Sequence, residues 1–249
     1  MTKRDYLKHL VAGKKQAFRP LTAEEKALGF LGWHERGYLP HCDFPDLVQF
    51  VTFRLEDSMP VSRSGEWKHL LAIEDVREKR IRLEEYLDRG IGKCQLRDSH
   101  IAALVEQAIL HRHGEQYEML AWVVMPNHFH VLVHVWRTPL WKMVQRWKTW
   151  VATHAERRAP ARRESKYQQR AEQELGAPAG FWQREYWDTY MRDAEQERKS
   201  IRYIEGNPAR AKLVLDPAAW PFGSARFRDA KTWELQLPPA GTPSSGSAR

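Results

Sequence analysis

An α+β fold built on an antiparallel sheet is predicted by three observations. Two apolar runs, Leu120 to Val124 and Val131 to Val133, flank a Pro-Asn turn and read as adjacent strands. Helical periodicity returns in segments that begin at Asp98, Pro139 and Asp193. The elements follow the order β-α-β-β-α-β-α, which implies an antiparallel sheet with helices on one face, a single domain of the ferredoxin-like kind.

The chain opens with a basic arm to about residue 30, followed by an extended segment through Pro40 and Pro45, so residues 1–45 are set apart from a main domain of 46–230. Val48 to Leu55 is the first strand. Arg63 to Arg89 is highly charged with an apolar minority, which predicts a mostly surface helix inserted between that strand and the first core helix. Asp98 caps a helix from Ser99 to about His113, whose Ile101, Leu104, Val105, Ala108 and Ile109 form a buried stripe. Tyr117 to Val124 and His128 to Val135 are the central strands. A basic helix from Pro139 to about Arg158 carries the stripe Leu140, Met143, Val144, Trp147, Val151, then come a polar linker, a short strand near Trp182 to Tyr190, and a last long helix. Residues 231–249, rich in Pro, Gly and Ser, read as a disordered tail.

The hairpin carries the chemistry. Along a strand successive side chains alternate faces, so in Met125-Pro126-Asn127-His128-Phe129-His130 the two imidazoles point the same way and Phe129 the other. Two imidazoles on a rigid strand can hold one metal ion when a third group completes the set, and the same spacing on a sheet face is equally compatible with plain hydrogen bonding. Asp193 followed by Gln196 is a capping-box signature, which puts Tyr203 on a helix opened at Asp193. Asn207 shares its face if the last turn holds. A phenol can act as a covalent nucleophile and an amide oxygen can ligate a hard cation. Asn207 before Pro208 also describes the N-cap of a following short helix, Pro208 to Leu213, and one oxygen can serve both roles.

With Gly32 to His41, Gln49 to Leu55, Phe181 to Asp188 and Tyr203 to Pro208, these motifs in this order resemble the REP-associated tyrosine transposases. That family belongs to the transposases with a His-hydrophobic-His (HUH) signature, and the resemblance runs from about Gly32 to Arg226. It implies the HUH nuclease and transposase fold, with His128 and His130 as metal ligands, Asn207 in the place of the third, helix-borne ligand, and Tyr203 as nucleophile. It further implies Mg2+ or Mn2+ and a substrate of single-stranded or hairpin DNA. Cleavage and rejoining through a 5′-phosphotyrosine would then serve transposition or repeat dispersal, with the protein a monomer or homodimer. A catalytically retired hairpin-binding protein and a non-covalent His-metal hydrolase are the alternatives.

Charge supports a nucleic-acid partner. The formal net charge is +8, and Trp141 to Arg170 holds nine Lys or Arg against two acids, almost the whole excess. Lys142, Arg146, Lys148, Arg157 and Arg158, with Trp182, Arg184 and Tyr186 of the Phe181 to Asp188 motif, are therefore the candidate DNA contacts. Bases stack on aromatic rings for roughly 1–3 kcal/mol each, although most of the 11 tryptophans belong to the core. Cys42 and Cys94 form no CxxC pair and are expected to be thiols. No apolar run approaches the ~20 residues of a bilayer span and the start lacks a signal-peptide core, which makes a cytoplasmic, nucleoid-associated protein the expectation.

Overall fold

The structure, a computed structural model, describes residues 19–35, 40–156 and 180–237. The expected basic arm up to residue 18, the candidate contacts Arg157 and Arg158, and the tail from residue 238 lie outside the described residues.

The described elements are α1 (Ala23–Leu28), β1 (Gly32–Glu35), β2 (Pro40–Asp43), β3 (Leu47–Arg54), α2 (Ser64–Leu71), α3 (Val76–Asp88), α4 (Ser99–Leu110), β4 (Tyr117–Val124), β5 (His128–Val135), α5 (Leu140–Glu156), β6 (Trp187–Tyr190) and α6 (Ala194–Arg210). β3 to β6 form one sheet in the order β4-β5-β3-β6, with every neighbouring pair antiparallel. With α4 and α5 as the crossovers, this is the ferredoxin-like arrangement. Among the described residues no helix is long and apolar enough to cross a membrane.

Both faces of the central strand are covered. Phe129, Val131, Val133 and Val135 join Val105, Ile109, Val144 and Trp147 of the α4–α5 pair in the larger core, where Phe53 and Phe129 stack at 4.4 Å. The opposite face, with Phe50 and Leu132, packs against Ile201 and Ile204 of α6. Every residue of β3 and β5 is consequently buried, the burial pattern of a strand with helices on both sides rather than one wet face. The free edge of β4 is closed by the C-terminal segment, where Phe222 accepts from the Val124 amide at 2.8 Å and Ser224 Oγ from the Trp122 amide at 3.1 Å.

β1 and β2 form a two-stranded ladder where an extended segment was expected, and β2 is tied to the main sheet by charge. His41 donates toward Asp188 at 2.5 Å and lies 3.2 Å from Glu185. Burial opposes its protonation, but the two carboxylates outweigh it and hold its pKa above the ordinary 6.5. Asp43 accepts the Leu31 and Leu140 amides at 2.9 and 3.0 Å, capping the start of α5. Residues 40–45 are thus joined to the domain that the sequence reading began at 46.

The segment from Arg63 to Arg89 is two helices rather than one. α2 ends at Leu71, and α3 is opened anew by Asp75, which accepts the Glu78 amide at 2.7 Å. Leu83, Tyr86 and Leu87 of α3 pack with Leu70, Met59 and Ile91. That leaves Arg80, Glu84 and Asp88, four residues apart, on an adjoining face.

Glu197 of α6 is 5% exposed, and one of its carboxylate oxygens makes no hydrogen bond. Burial pushes its pKa up to about 7 against the pull of Arg198 and Arg228. Between pH 4.5 and 7 the native state keeps a proton that the unfolded chain has released, so stability falls as pH rises through that window. Glu197→Gln is expected to remove this slope and to stabilise the protein at pH 8 by about 1–3 kcal/mol. Urea denaturation of both proteins at pH 5 and pH 8 checks it, and parallel pH profiles would rule it out.

Candidate active site

β5 presents His128 and His130 on its α6 side, both fully buried, with ring centroids 4.7 Å apart. Each ring is held through Nδ1. Asn127, itself fully buried and donating to the Ile91 carbonyl at 3.0 Å, offers its amide oxygen to His128 Nδ1 at 2.8 Å. An amide oxygen only accepts, so Nδ1 carries the proton and Nε2 is a bare lone pair. That Nε2 is buried and makes no hydrogen bond. His130 Nδ1 meets Thr52 Oγ1 at 2.9 Å, directly across the β3–β5 ladder. Burial drives the His128 pKa down to about 3 and that of His130 well below 6.5, helped by the positive charge of Arg210 and, for His130, Arg80. Both imidazoles are neutral at physiological pH, the state in which they ligate metals.

α6 runs unbroken to Arg210 with Pro208 inside it. The N-cap expected at Asn207 is therefore not formed; its carbonyl accepts the Ala211 amide as a helical residue does. Because only the last turn follows Pro208, the missing amide costs a single bond near the helix end. Tyr203, Asn207 and Arg210 share one face, as spacings of four and seven require. Asn207 is fully buried, and in the orientation that satisfies its neighbours the amide nitrogen donates to Asp88 at 3.1 Å. Its oxygen then accepts from Arg210 at 3.0 Å and from His130 Nε2 at 3.2 Å. The alternative tautomer, with Nδ1–H donating to Thr52, turns the His130 Nε2 lone pair and the Asn207 oxygen toward one point.

Tyr203 lies edge-on to His130 and Phe50, with centroids 5.8 and 5.9 Å away, and Arg210 stacks on its ring at 4.1 Å. Burial raises the phenol pKa well above 10, and the Glu84 carboxylate facing the hydroxyl raises it further. The phenol is thus held protonated beside a base. Glu84 is 6% exposed and bonded by Arg80 Nε at 3.1 Å. Asp88 lies with Oδ2 3.5 Å from Arg210 Nε and Oδ1 3.8 Å from His128 Nε2, and burial pushes its pKa up to about 6 against the pull of Arg210.

The structure brings His128, His130, Tyr203 and Asn207 together. It also supplies Arg80, Glu84 and Asp88 of α3, with Thr52 and Asn127, none of which was singled out from the sequence. The signal for α3 was its four-residue spacing of Arg, Glu and Asp; nothing in one sequence reveals that Thr52 stands opposite His130. Among the described residues no group of three or more His, Cys, Asp or Glu forms a ready metal cage.

The candidate DNA contacts lie elsewhere. α5 covers the other face of the sheet, where Lys142 donates to the Leu28 carbonyl at 2.9 Å and Lys148 to the Gln183 and Arg184 carbonyls. Arg146, exposed, borders a cavity of about 360 Å³ with Arg112, Gln116, Trp147 and Trp150. Trp182 is half-buried against Phe129 and Phe181, and Arg184 is exposed. Tyr186 is 3% exposed, its ring between His41 and Phe53, so it offers no open face to a base and belongs to the core. The expected strand from Trp182 contracts to β6, with one isolated bridge between Leu55 and Trp182. Near the His pair the positive charge comes instead from Arg80 and Arg210, whereas Arg54, opposite His128 in the ladder, sets its guanidinium 5.4 Å from the Trp187 ring.

No family model matches the chain, and no curated protein matches it. Among solved structures a similar one is a REP-associated tyrosine transposase bound to a REP hairpin, 16% identical, covering 88% of this chain and 98% of its own, with a TM-score of 0.47. A likeness of that degree carries no residue roles to this chain.

Proposed function

We propose that this chain cuts and rejoins single-stranded or hairpin DNA through Tyr203, with His128, His130 and Asn207 holding Mg2+ or Mn2+. The observation that carries the reading is the fully buried, unpartnered lone pair of His128 Nε2, beside a second neutral imidazole and one helix face bearing a carboxamide and a phenol. A buried acceptor left without a donor costs roughly 1–3 kcal/mol, a cost a bound cation removes. The donor set, two imidazole nitrogens and an amide oxygen, fits such an ion, which when bound would polarise the scissile phosphate and offset charge on its oxygens.

The remaining work belongs to the protein. Arg210, stacked on the ring, fixes Tyr203 for attack and offers a guanidinium to the phosphate. Glu84 takes the phenol proton as Tyr203 Oη bonds to phosphorus. The bond from phosphorus to the 3′ oxygen breaks, that oxygen takes a proton from solvent, and a 5′-phosphotyrosine remains. Because the linkage keeps the phosphodiester energy, the reverse attack of a 3′-hydroxyl rejoins the strand with no nucleotide cofactor.

The reading is tested with an oligonucleotide hairpin carrying a break that lets the short product diffuse away. Wild-type protein with Mn2+ should form a covalent complex that survives denaturing electrophoresis. Hairpin binding with cleavage products but no adduct would identify a hydrolase instead, and binding with neither would identify a DNA-binding protein alone.

Arg146 offers a test of the route the DNA takes. Arg146→Glu is expected to weaken hairpin binding and to lower the slope of log K against log salt by about 0.7–0.9 for one lost phosphate contact. An unchanged slope would place the strand on the α6 face only.

A further inference from the structure

We propose, on the reading of the site as cation-binding, that Asp88 is a fourth ligand and the only anionic one, contributed by the helix pair inserted after β3. Three observations carry it. First, Asp88 Oδ1 faces His128 Nε2 at 3.8 Å and the Asn207 amide at 3.1 Å. The tautomer fixed by Asn127 leaves no proton on His128 Nε2, so two lone-pair-bearing atoms confront each other across 3.8 Å with no hydrogen bond joining them. Ligands of one small divalent ion bonded at about 2.1 Å stand roughly 3 Å apart, so small side-chain movements bring both atoms onto a shared ion. Secondly, the carboxylate is already oriented. Arg210 Nε lies 3.5 Å from Oδ2 and the Asn207 amide bonds Oδ1, which holds the second lone pair of Oδ1 for the site. Thirdly, the chemistry needs it. His128, His130 and Asn207 are all neutral, whereas Mg2+ and Mn2+ are hard ions that favour carboxylate oxygen. One half-buried carboxylate supplies the missing charge.

α3 therefore has a double task along its Arg80, Glu84, Asp88 face: Glu84 addresses the nucleophile and Asp88 the metal. Deleting the insertion would expose both.

Mn2+ binding to the full chain without DNA, followed by calorimetry and by electron paramagnetic resonance, separates this assignment from the reading beneath it. Wild type is expected to bind one Mn2+, Asp88→Asn to bind it at least about tenfold more weakly, and Asp88→Glu to recover part of the loss. Arg210→Met, which removes the partner of the ion pair and spares the ligand, should bind Mn2+ at least as tightly as wild type; a loss equal to that of Asp88→Asn would mean that Asp88 acts only through the pair. Full-strength binding by Asp88→Asn, alongside loss of binding in His128→Ala, overturns the fourth ligand and leaves the metal site standing. No binding by wild type overturns both. Should Asp88→Asn fail to fold in chelator, Asp88→Asn combined with Arg210→Met, lacking both partners of the pair, carries the same measurement.

Discussion

Tyr203→Phe is expected to abolish strand cleavage and the covalent adduct, a loss of at least about a thousandfold, while hairpin binding stays within a few-fold of wild type. The substitution deletes one oxygen and keeps the ring. Its edge contacts with Phe50 and His130 and its stacking under Arg210 therefore persist. Glu84 loses the hydroxyl but retains Arg80, so stability should change by no more than about 1 kcal/mol. Gel-based cleavage and adduct assays beside a binding titration measure both halves. Undiminished cleavage by the variant removes Tyr203 as nucleophile.

The second large effect is expected from the imidazoles. His128→Ala and His130→Ala should each reduce Mg2+- or Mn2+-dependent cleavage by more than about a hundredfold. Their stability effects should differ. Alanine at 128 opens a cavity and breaks the bond to Asn127, but it also removes a buried nitrogen that no donor satisfies, and this partial offset should keep the fall in melting temperature in chelator modest. Alanine at 130 breaks the bond to Thr52 and should cost more. Added Mn2+ should raise the melting temperature of wild type and of neither variant. Cleavage in excess chelator, or an equal Mn2+ response in all three proteins, would contradict the metal role.

Legibility from sequence followed the locality of the signal. β4 and β5 are bounded as read because the Pro-Asn turn and the Gly-Glu-Gln stretch before Tyr117 mark their ends, and Asp98 and Asp193 cap the helices they were read to open. Asn207 was harder to place. Pro208 argues locally for a helix end, yet tertiary packing carries α6 through it, and the side chain turns to the His pair instead of capping. The break between α2 and α3 at Ala72 to Asp75 was visible only as one more Asp among many charges. Which face β5 offers to the Tyr203 helix depends on the sheet order, and Tyr186 is buried by a partner distant in sequence, His41, whose ring lies 4.5 Å away. The α3 contribution has the same origin. A charged four-residue stripe reads as a solvated face until the fold presses it onto a site.

Mass-spectrometric mapping of the protein–DNA adduct tests the central claim most directly. With wild-type protein, Mn2+ and the interrupted hairpin, the peptide containing Tyr203 should carry the 5′-phosphonucleotide mass, and none should appear in chelator. Attachment at any other residue, or cleaved DNA with no modified peptide, would contradict it.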